Sequence, residues 1–286
     1  MVLKTPQIVT GLYLVATPIG TASDISLRAL EVLKKADLLV AEDTRTLRKL
    51  MLIHDIPVGK RAIFSYNDHN GFRQRSKVLN VLKKNKSVAF VSDAGTPLIS
   101  DPGFRLVEDT ISEGYSVHAV PGASSVISAL IVSGLPLDRF CFGGFIPTKK
   151  SAKTTFLSLY KTADKTCVFF ERTSRLNGTL TIMEELYGAE RRVAICRELT
   201  KKFEEVRRGT LASVKSYFRN LKIKGELVIV LGPTDVSEHT ESEIITELRN
   251  AMRKLTFRDA VTHVTDCMGI PRQRVYRLAL ALKQDT

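Results

Sequence analysis

Short apolar runs alternate with helical patterns through the first half of the chain. The run LYLVA (12–16) precedes a segment in which Leu27, Leu30 and Leu33 recur at helical spacing and are expected to line one face. Further runs of strand length, each followed by a turn or a helical pattern, are LLVA (38–41), AIFSY (62–66), VAFV (88–91) and VHAV (117–120). Strands that alternate with helices predict a largely parallel sheet covered by helices.

A Gly- and Pro-rich segment, GLPLDRFCFGGFIPTKK (134–150), interrupts this pattern and is expected to contain a domain boundary. Beyond it, strands are predicted at CVFF (167–170), VAIC (193–196) and LVIVL (227–231), and helices around 156–160 and 176–186. We therefore predict two α/β domains, at residues 1–135 and 136–236. The pattern leaves the topology of the second domain open.

Residues 237–286 are expected to form a separate helical region. TFRDAVTHVTDCMGIPRQRVYRLALAL is typical of two helices around a Gly-Ile-Pro turn, and the second helix carries Arg272, Arg274 and Arg277. Such a pair resembles a helix-turn-helix, which presents basic side chains to nucleic acid. A helical cap whose arginines are only solvated explains the same pattern, so both interpretations stay open.

Three loops rich in turn-forming residues begin where predicted strands end: TPIG (17–20), SDAGTP (92–97) and PGASS (121–125). Ligands of open α/β sheets bind at the carboxyl ends of parallel strands, where such loops meet. Glycines there allow close backbone approach, while Asp93 and Thr96 offer polar contacts. Neither a P-loop nor a G-x-G-x-x-G sequence follows the first strand, so the loops indicate a polar, nucleoside-like ligand. Turns without a ligand are the alternative.

Helix starts are predicted from capping residues. Asp101 precedes Pro102 and the helical pattern FRLVEDTISEG, and an aspartate N-cap with proline in the first helical position is a usual helix start. We therefore predict that Asp101 stabilises this helix rather than contacting a ligand. Ser23 or Asp24 is expected to cap the first helix in the same way.

Composition favours a polyanionic partner. The 286 residues carry a formal net charge of +13 and are 44% hydrophobic, which suits a protein with ordinary cores. Such a charge attracts nucleic acid or an acidic membrane surface, although a merely soluble basic surface is also compatible. The early apolar run GLYLVATPI is too short to span a membrane.

The four cysteines, Cys141, Cys167, Cys196 and Cys267, lie far apart and form no C-x-x-C pair. Reduced, buried thiols explain them better than disulfides or a zinc site. We therefore expect a cytoplasmic protein without a bound metal.

Charged residues follow other predicted strands. AEDTRT (41–46) places Asp43 and Arg45 after the second strand, and SYNDHN (65–70) places His69 after the third. A surface turn and a structural histidine are the respective alternatives. In the second half, FFERT and CRELTKKFEEVRRG also put charges at strand ends, and residues 201–224 hold eight Lys or Arg. These cations form either a phosphate-contact surface or a solvated loop.

The order of the motifs resembles one known family. LYLVATPIG, ADLLVAEDTR, SDAGTPLISDPG, PGASS, GLPLDRFCFGGFIP, FFERTSRL, RELTKKFEE and KGELVIV resemble the ribosomal RNA small subunit methyltransferase I family, within the tetrapyrrole methylase fold, over about residues 12–282. The resemblance implies S-adenosylmethionine bound in a cleft between two α/β domains, a small C-terminal helical extension and a homodimer. It also implies 2′-O-methylation of a cytidine in the decoding region of 16S ribosomal RNA, with the 30S subunit as the expected partner.

Motif by motif, the resemblance implies cofactor contacts from both domains: Pro18, Asp93, Ala94, Gly95, Thr96, Ile99, Ser124, Ser125, Glu171 and Leu199. Gly95-Thr96-Pro97 stands where tetrapyrrole methylases usually have Gly-Asp-Pro, so an acidic contact is lost there and Asp93 is expected to compensate. Thr21 follows Gly20 where related ribosomal RNA enzymes tend to have asparagine.

Methyl transfer to a ribose hydroxyl requires in-line placement of the oxygen and removal of its proton. Candidates for the base or an orienting group are Asp43, His69 and Glu171. Candidates to hold phosphate, RNA or the developing oxyanion are Arg45, Arg197, Lys201, Arg272, Arg274 and Arg277. A tetrapyrrole methyltransferase and a non-catalytic RNA-binding protein are the alternative functions.

Overall fold

The computed structural model describes residues 8–67, 71–234, 241–268, 270 and 272–284. Within this part of the chain, two five-stranded sheets are followed by three C-terminal helices. None of the described helices is both long and apolar enough to cross a membrane.

The first sheet is entirely parallel, as the alternating pattern predicted. Its strands are β1 (Gly11–Val15), β2 (Leu38–Ala41), β3 (Ile63–Ser65), β4 (Ser87–Val91) and β5 (Val117–Val120). They lie in the order β3-β2-β4-β1-β5. The carboxyl ends of all five strands therefore share one edge, where the predicted loops begin.

Helices cover both faces of this sheet: α1 (Leu27–Lys35), α2 (Thr44–Ile53), α3 (Gly71–Leu82) and α4 (Phe104–Ser112). The period-2 alternation of strand side chains divides the core into two layers. Ala89 and Val91 of β4 pack with α1 and α2, whereas Val88 and Phe90 pack with α3 and α4. Burial on both faces explains why β4 is apolar throughout.

The second sheet is mixed. Its strands are β6 (Phe140–Phe145), β7 (Thr166–Arg172), β8 (Arg192–Arg197), β9 (Glu205–Thr210) and β10 (Glu226–Leu231), in the order β6-β7-β10-β8-β9. Only β6 and β7 pair in parallel; the other pairs are antiparallel. One face packs against α6 (Lys150–Ser158), α7 (Leu176–Tyr187) and α8 (Leu211–Phe218).

The helix α5 (Ser125–Ser133) joins the two sheets. It begins directly after the loop that follows β5, and its Val126, Ala129 and Leu130 pack on the free face of the second sheet. That face carries Val168 of β7 and Val230 of β10. Because α5 is clamped between the loops of one sheet and the face of the other, it fixes the loops relative to the second sheet.

The start of α1 differs from the prediction. Ala22–Asp24 forms a short 3-10 helix, and Ser26 caps α1 instead of Ser23 or Asp24, with its side chain accepting a hydrogen bond from the Ala29 amide. The buried face of α1 runs through Ala29, Val32 and Leu33. Leu33 is fully buried as predicted, but Leu27 is 81% exposed.

The three C-terminal helices, α9 (Glu241–Met252), α10 (Phe257–Met268) and α11 (Arg272–Gln284), have a core of their own. Ile244, Val264 and Val275 contribute to it from one helix each. The helix pair around residues 269–271 was predicted, although most of the turn lies outside the described residues. The domain limits at 135/136 and 236/237 stay predictions.

The cysteines are only partly as expected. All four are free thiols, and Cys167 and Cys196 are buried in strands of the second sheet. Cys141 is half-buried, and Cys267 is exposed on α10, so the prediction of burial is wrong for these two. Helix α10 turns Cys267 away from the apolar seam that faces α9 and α11.

Candidate functional site

Hydrogen bonds tie together the three loops at the carboxyl edge of the first sheet. The Thr17 amide donates to the Gly95 carbonyl at 2.9 Å, and the Gly95 amide donates to the Thr17 carbonyl at 3.0 Å. The Thr96 hydroxyl donates to the Ala123 carbonyl at 3.0 Å. The predicted convergence of these loops is therefore present: backbone hydrogen bonds join the first two loops, and the Thr96 side chain joins the second to the third.

Gly95 is required by this arrangement. Its φ is +79°, in the left-handed region that side chains disfavour, and an added Cβ would lie 3.1 Å from Ile19 Cγ2. The close approach of the first and second loops thus depends on the missing side chain.

A cleft of about 630 Å³ opens between these loops and the second sheet. Its volume lies in the range of roughly 300–1,000 Å³ common for small-molecule sites. The cofactor contacts implied by the family resemblance line it, except for Pro18: Asp93, Ala94, Gly95, Thr96, Ile99, Ser124, Ser125, Glu171 and Leu199. Their role as contacts stays a prediction.

The cleft is acidic although the chain as a whole is basic. Its lining contains six carboxylates, Glu42, Asp93, Asp101, Glu171, Glu198 and Glu226. Arg172 is the sole basic residue among the described residues that line it. Glu171 is paired with Lys153 and Arg175, and Glu198 and Glu226 share Lys201. The part of the cleft lined by Asp93 and Asp101 therefore favours a cationic small molecule over an anionic one.

Asp101 corrects the helix-start prediction. Gly103 occupies the N-cap position of α4, with φ +126° and no side-chain cap, so the helix starts too late for Asp101 to cap it. Leu98 and Ser100, with φ of 71° and 67°, turn the loop so that Asp101 lines the cleft. Such strained residues are typical of functional loops.

The Asp101 carboxyl has a raised pKa. Within the described part of the chain it makes neither a hydrogen bond nor an ion pair. Burial, and secondly the charge of Asp93, raise its pKa to about 6. A ligand that brings a positive charge would stabilise the ionised form.

Glu171, a candidate base, is instead fully engaged. Its side chain is 0% exposed and forms ion pairs with Lys153, at 3.2 Å, and with Arg175. The Thr179 hydroxyl donates to the same carboxylate at 2.6 Å, and the Arg172 amide donates at 2.8 Å. These four partners hold the Glu171 carboxylate in one orientation in the wall of the cleft.

Asp43 and Arg45 lie beside the cleft rather than in its lining. Asp43 caps α2 by accepting the Arg45 amide at 2.8 Å, and its carboxylate pairs with the Arg45 guanidinium at 2.5 Å. The hydrogen bond from the Arg45 side chain is the main reason that the pKa of Asp43 is lowered to about 2. The Asp43 amide in turn donates to Asp93 at 2.9 Å. A carboxylate with so low a pKa is a weak base at neutral pH.

Two predicted RNA contacts, Arg197 and Lys201, also have internal partners. Arg197 pairs with Glu205 at 3.0 Å, while Lys201 pairs with Glu198 at 3.1 Å and with Glu226 at 3.0 Å. These pairs hold the segment beside the cleft. The remaining predicted RNA contacts, Arg272, Arg274 and Arg277, lie on α11. His69 lies outside the described residues.

A strap of residues 198–201 crosses from the second sheet to the first loop. The Thr21 amide donates to the Thr200 hydroxyl at 3.2 Å, and the Thr21 hydroxyl donates to the Thr200 carbonyl. Glu198 and Thr200 have φ of 49° and 62°, which bends the strap toward that loop. Thr21 thus joins the two halves of the site.

The cleft residues that were not singled out from the sequence include Phe145, Phe170, Arg172 and Glu198. Phe170 and Arg172 lie on either side of Glu171 in the FFERT motif, so the motif pointed to them. Phe145 gave no signal, since the strand that carries it was not predicted. Asp101 was noticed, but its role was misassigned.

Comparison with known proteins places the chain among methylases. Residues 11–215 match the family described as Tetrapyrrole (Corrin/Porphyrin) Methylases. Two proteins named ribosomal RNA small subunit methyltransferase I are similar over most of their length. The one from Mesorhizobium japonicum is 41% identical over 96% of this chain and 92% of its own, and the one from Bacillus subtilis is 37% identical over 93% and 92%.

The fold resembles that of a solved tetrapyrrole enzyme. A crystal structure of uroporphyrin-III C-methyl transferase from Thermus thermophilus, complexed with S-adenyl homocysteine, superposes with a TM-score of 0.54. The match covers 78% of this chain and 97% of that one, at 16% identity. At this identity the likeness establishes the shared two-domain fold alone.

Proposed function

The chain belongs to the ribosomal RNA small subunit methyltransferase I family of tetrapyrrole methylases, and on that premise we propose that it is an S-adenosylmethionine-dependent methyltransferase acting on 16S ribosomal RNA. The target within that RNA is the ribose 2′-oxygen of a cytidine in the decoding region. The observation that carries the proposal is the acidic cleft in a strongly basic chain, because it separates a site for a cationic cofactor from surfaces that attract RNA.

The residues present fit the cofactor. S-adenosylmethionine, when bound, supplies an activated methyl group on a sulfonium, and its sulfonium and ammonium are cations. The unpaired Asp101 carboxyl offers these cations a partner, and Gly95 lets a ligand approach the backbone. Ile19 and Leu199 add buried apolar surface to the same cleft.

The chain's other task is to place the ribose hydroxyl and remove its proton. Of the candidate bases, Asp43 and Glu171 are committed to ion pairs, so we assign the base to His69. In the sequence it comes four residues after β3, whose carboxyl end shares an edge with the strands that lead into the cofactor loops. Ala substitution of His69 is expected to abolish single-turnover methylation while leaving cofactor binding intact.

A tetrapyrrole substrate fits this cleft poorly. A porphyrinogen carries several carboxylates, which Asp93 and Asp101 in the lining would repel. A non-catalytic RNA-binding protein would need no cofactor cleft.

The working form is proposed to be a cytoplasmic homodimer that binds the 30S subunit, with domains at residues 1–135, 136–236 and 237–286. Exposed Ile111 on α4 and Ile131 on α5 offer apolar surface for such a dimer.

The test is transfer of tritiated methyl groups to undermethylated 30S subunits, to free 16S ribosomal RNA and to a porphyrinogen. We expect incorporation into RNA, and nuclease digestion should release the label in a 2′-O-methylated cytidine. Label only in the porphyrinogen would overturn the proposal. Heat stabilisation by S-adenosylmethionine, measured in parallel, separates an enzyme from a protein that only binds RNA.

A further inference from the structure

One rim of the cleft combines an exposed aromatic ring with an unpaired cation. Phe145, at the end of β6, is 55% exposed although it lines the cleft. Its ring lies edge-to-face against Phe170, with centroids 5.2 Å apart and an interplanar angle of 61°. Arg172, two residues after Phe170, is exposed and lines the same cleft.

An irregularity in β6 places this ring. Phe142 and Phe145 are three positions apart, so a regular strand would point them to opposite faces. The pairing of β6 with β7 shifts between Phe142 and Gly144, and Gly144 adopts φ +74°. This bulge brings both rings against Phe170, with Phe142 at 4.9 Å. Bulges near active sites often redirect a side chain in this way.

The side chain of Arg172 is exposed at the rim of the cleft. Its guanidinium forms neither a hydrogen bond nor an ion pair with any residue in the described part of the chain, whereas Arg175, in the next turn, is paired with Glu171. The backbone amide of Arg172 donates to Glu171, which fixes the position of the residue. An anchored but unpaired guanidinium is suited to bind an anion from solution.

The acidic interior restricts how RNA approaches. A phosphate would be repelled by the cleft carboxylates, so a nucleotide enters with its base and ribose while its phosphate stays at the rim. Within the described lining, Arg172 is the one group that attracts that phosphate. Phe145 beside it offers a flat apolar face, on which any nucleobase can stack.

We propose that Phe145, supported by Phe170, and Arg172 form the docking point for the target nucleotide, with the base stacked on Phe145 and its phosphate held by Arg172. The inference rests on the proposed function, since it assumes an RNA substrate. It assigns a positioning role to the carboxyl ends of β6 and β7 in the second sheet, opposite the cofactor loops of the first. Ser100 of the Asp101 loop lies 3.9 Å from a Cβ built on Gly144, so the two rims face each other closely.

The test compares variants at Phe145 in steady-state methylation of undermethylated 30S subunits. F145A is expected to lower kcat/KM for the subunit on the order of 10- to 100-fold, mostly through KM, which is the size of a lost base–aromatic stack. F145W should retain most of the activity, and F145L should not, because leucine keeps apolar area without a ring face. F140A is the matched control, since Phe140 is 45% exposed at the opposite end of the same strand.

The role of Arg172 is tested by the salt dependence of methylation kinetics. R172A is expected to raise KM. It should also make the slope of log(kcat/KM) against log salt concentration shallower by about 0.7, the change expected when one phosphate contact to a single strand is lost. R172K should keep the slope. K161A, which removes an exposed charge from the turn before β7, should leave both KM and slope unchanged.

The outcomes separate the two levels of the proposal. F145A and R172A could instead weaken S-adenosylmethionine binding in calorimetry and leave KM for the subunit unchanged. In that case the two residues bind the cofactor and not the target nucleotide, and the inference is wrong. Wild-type kinetics in both variants would also overturn it while the proposed function stands. If the wild-type protein methylates no RNA, the proposed function fails and the inference falls with it.

Discussion

At the scale of single residues, Asp101 shows how a capping motif can mislead. Asp-Pro-Gly before a helical pattern satisfies the usual rule for a helix start, yet Gly103 takes the cap position and the carboxylate faces the cleft. The deciding feature is the backbone of Leu98 and Ser100, whose positive φ values no propensity of leucine or serine predicts.

We expect D101N to weaken S-adenosylmethionine binding by about 10- to 100-fold, the range for losing a charge-assisted contact. Wild-type affinity should also fall as pH drops below about 6, because protonation removes the charge, while D101N should show no such dependence. Calorimetry at pH 5.5 and 7.5 measures both. D138N, at an exposed aspartate, is the control. Unchanged affinity with lost methyl transfer would instead assign Asp101 to proton removal.

The same variant should not destabilise the fold. The pKa of Asp101 is about 6 in the folded chain and 3.8 in the reference state, so the folded chain binds more protons between these values. Stability from this group therefore falls as pH rises through that window, and the ionised carboxyl is unfavourable at pH 7.5. D101N is expected to match or exceed the wild-type free energy of unfolding in urea at that pH. A clear loss would restore the capping interpretation.

Glu171 is expected to matter for stability. E171Q leaves the ammonium of Lys153, whose side chain is only 6% exposed, without its anion, and breaking a buried pair costs about 3–5 kcal/mol. Urea unfolding measures the loss. E31Q, which removes the exposed partner of Lys35, should cost under about 1 kcal/mol. Similar losses in the two variants would show that the buried network is not structural.

At the scale of elements, the sequence predicts the strands and loops that have a regular hydrophobic pattern. The buried β4 is a continuous apolar run, and the loops after β1, β4 and β5 were located because parallel strands share a carboxyl edge. Strand β9 (EVRRGT) was missed because it is an edge strand whose charges face solvent, which hides the alternation. Strand β6 was missed because its two glycines suggested a boundary, whereas they make the bulge.

The strap at 198–201 was also not predictable, since it depends on a contact between distant segments. We expect G20A to weaken it, because the new Cβ would lie 2.5 Å from Lys201 Cγ and 3.1 Å from the Leu199 carbonyl oxygen. Lysine can move, but backbone cannot, so the loop must shift. The predicted result is weaker S-adenosylmethionine binding in calorimetry and a lower Tm. G178A, which meets no atom within 4 Å at a position without positive φ, controls for Tm. Wild-type binding by G20A would exclude the strap from the site.

At the scale of the whole molecule, charge is divided between surface and cleft. The chain carries a net charge of +13, but the cleft is lined by six carboxylates and one arginine. Net charge read from the sequence therefore indicated the polyanionic partner but carried no information about the sign of the cleft. The division lets the surface attract RNA over a distance while the cleft excludes phosphate and favours a cation.

This division predicts opposite salt responses for the two ligands. RNA binding releases counterions for each phosphate contacted, so kcat/KM for 30S subunits should fall by about 10-fold or more between 50 and 200 mM salt. Binding of S-adenosylmethionine involves few charges in a partly enclosed cleft, where screening is weaker, so its Kd should change by less than about 3-fold over the same range. Parallel kinetics and calorimetry measure the two responses. Equal salt dependence for both ligands would mean that RNA binding does not use the basic surface. It would contradict the assignment of RNA to the basic exterior and of the cofactor to the acidic cleft.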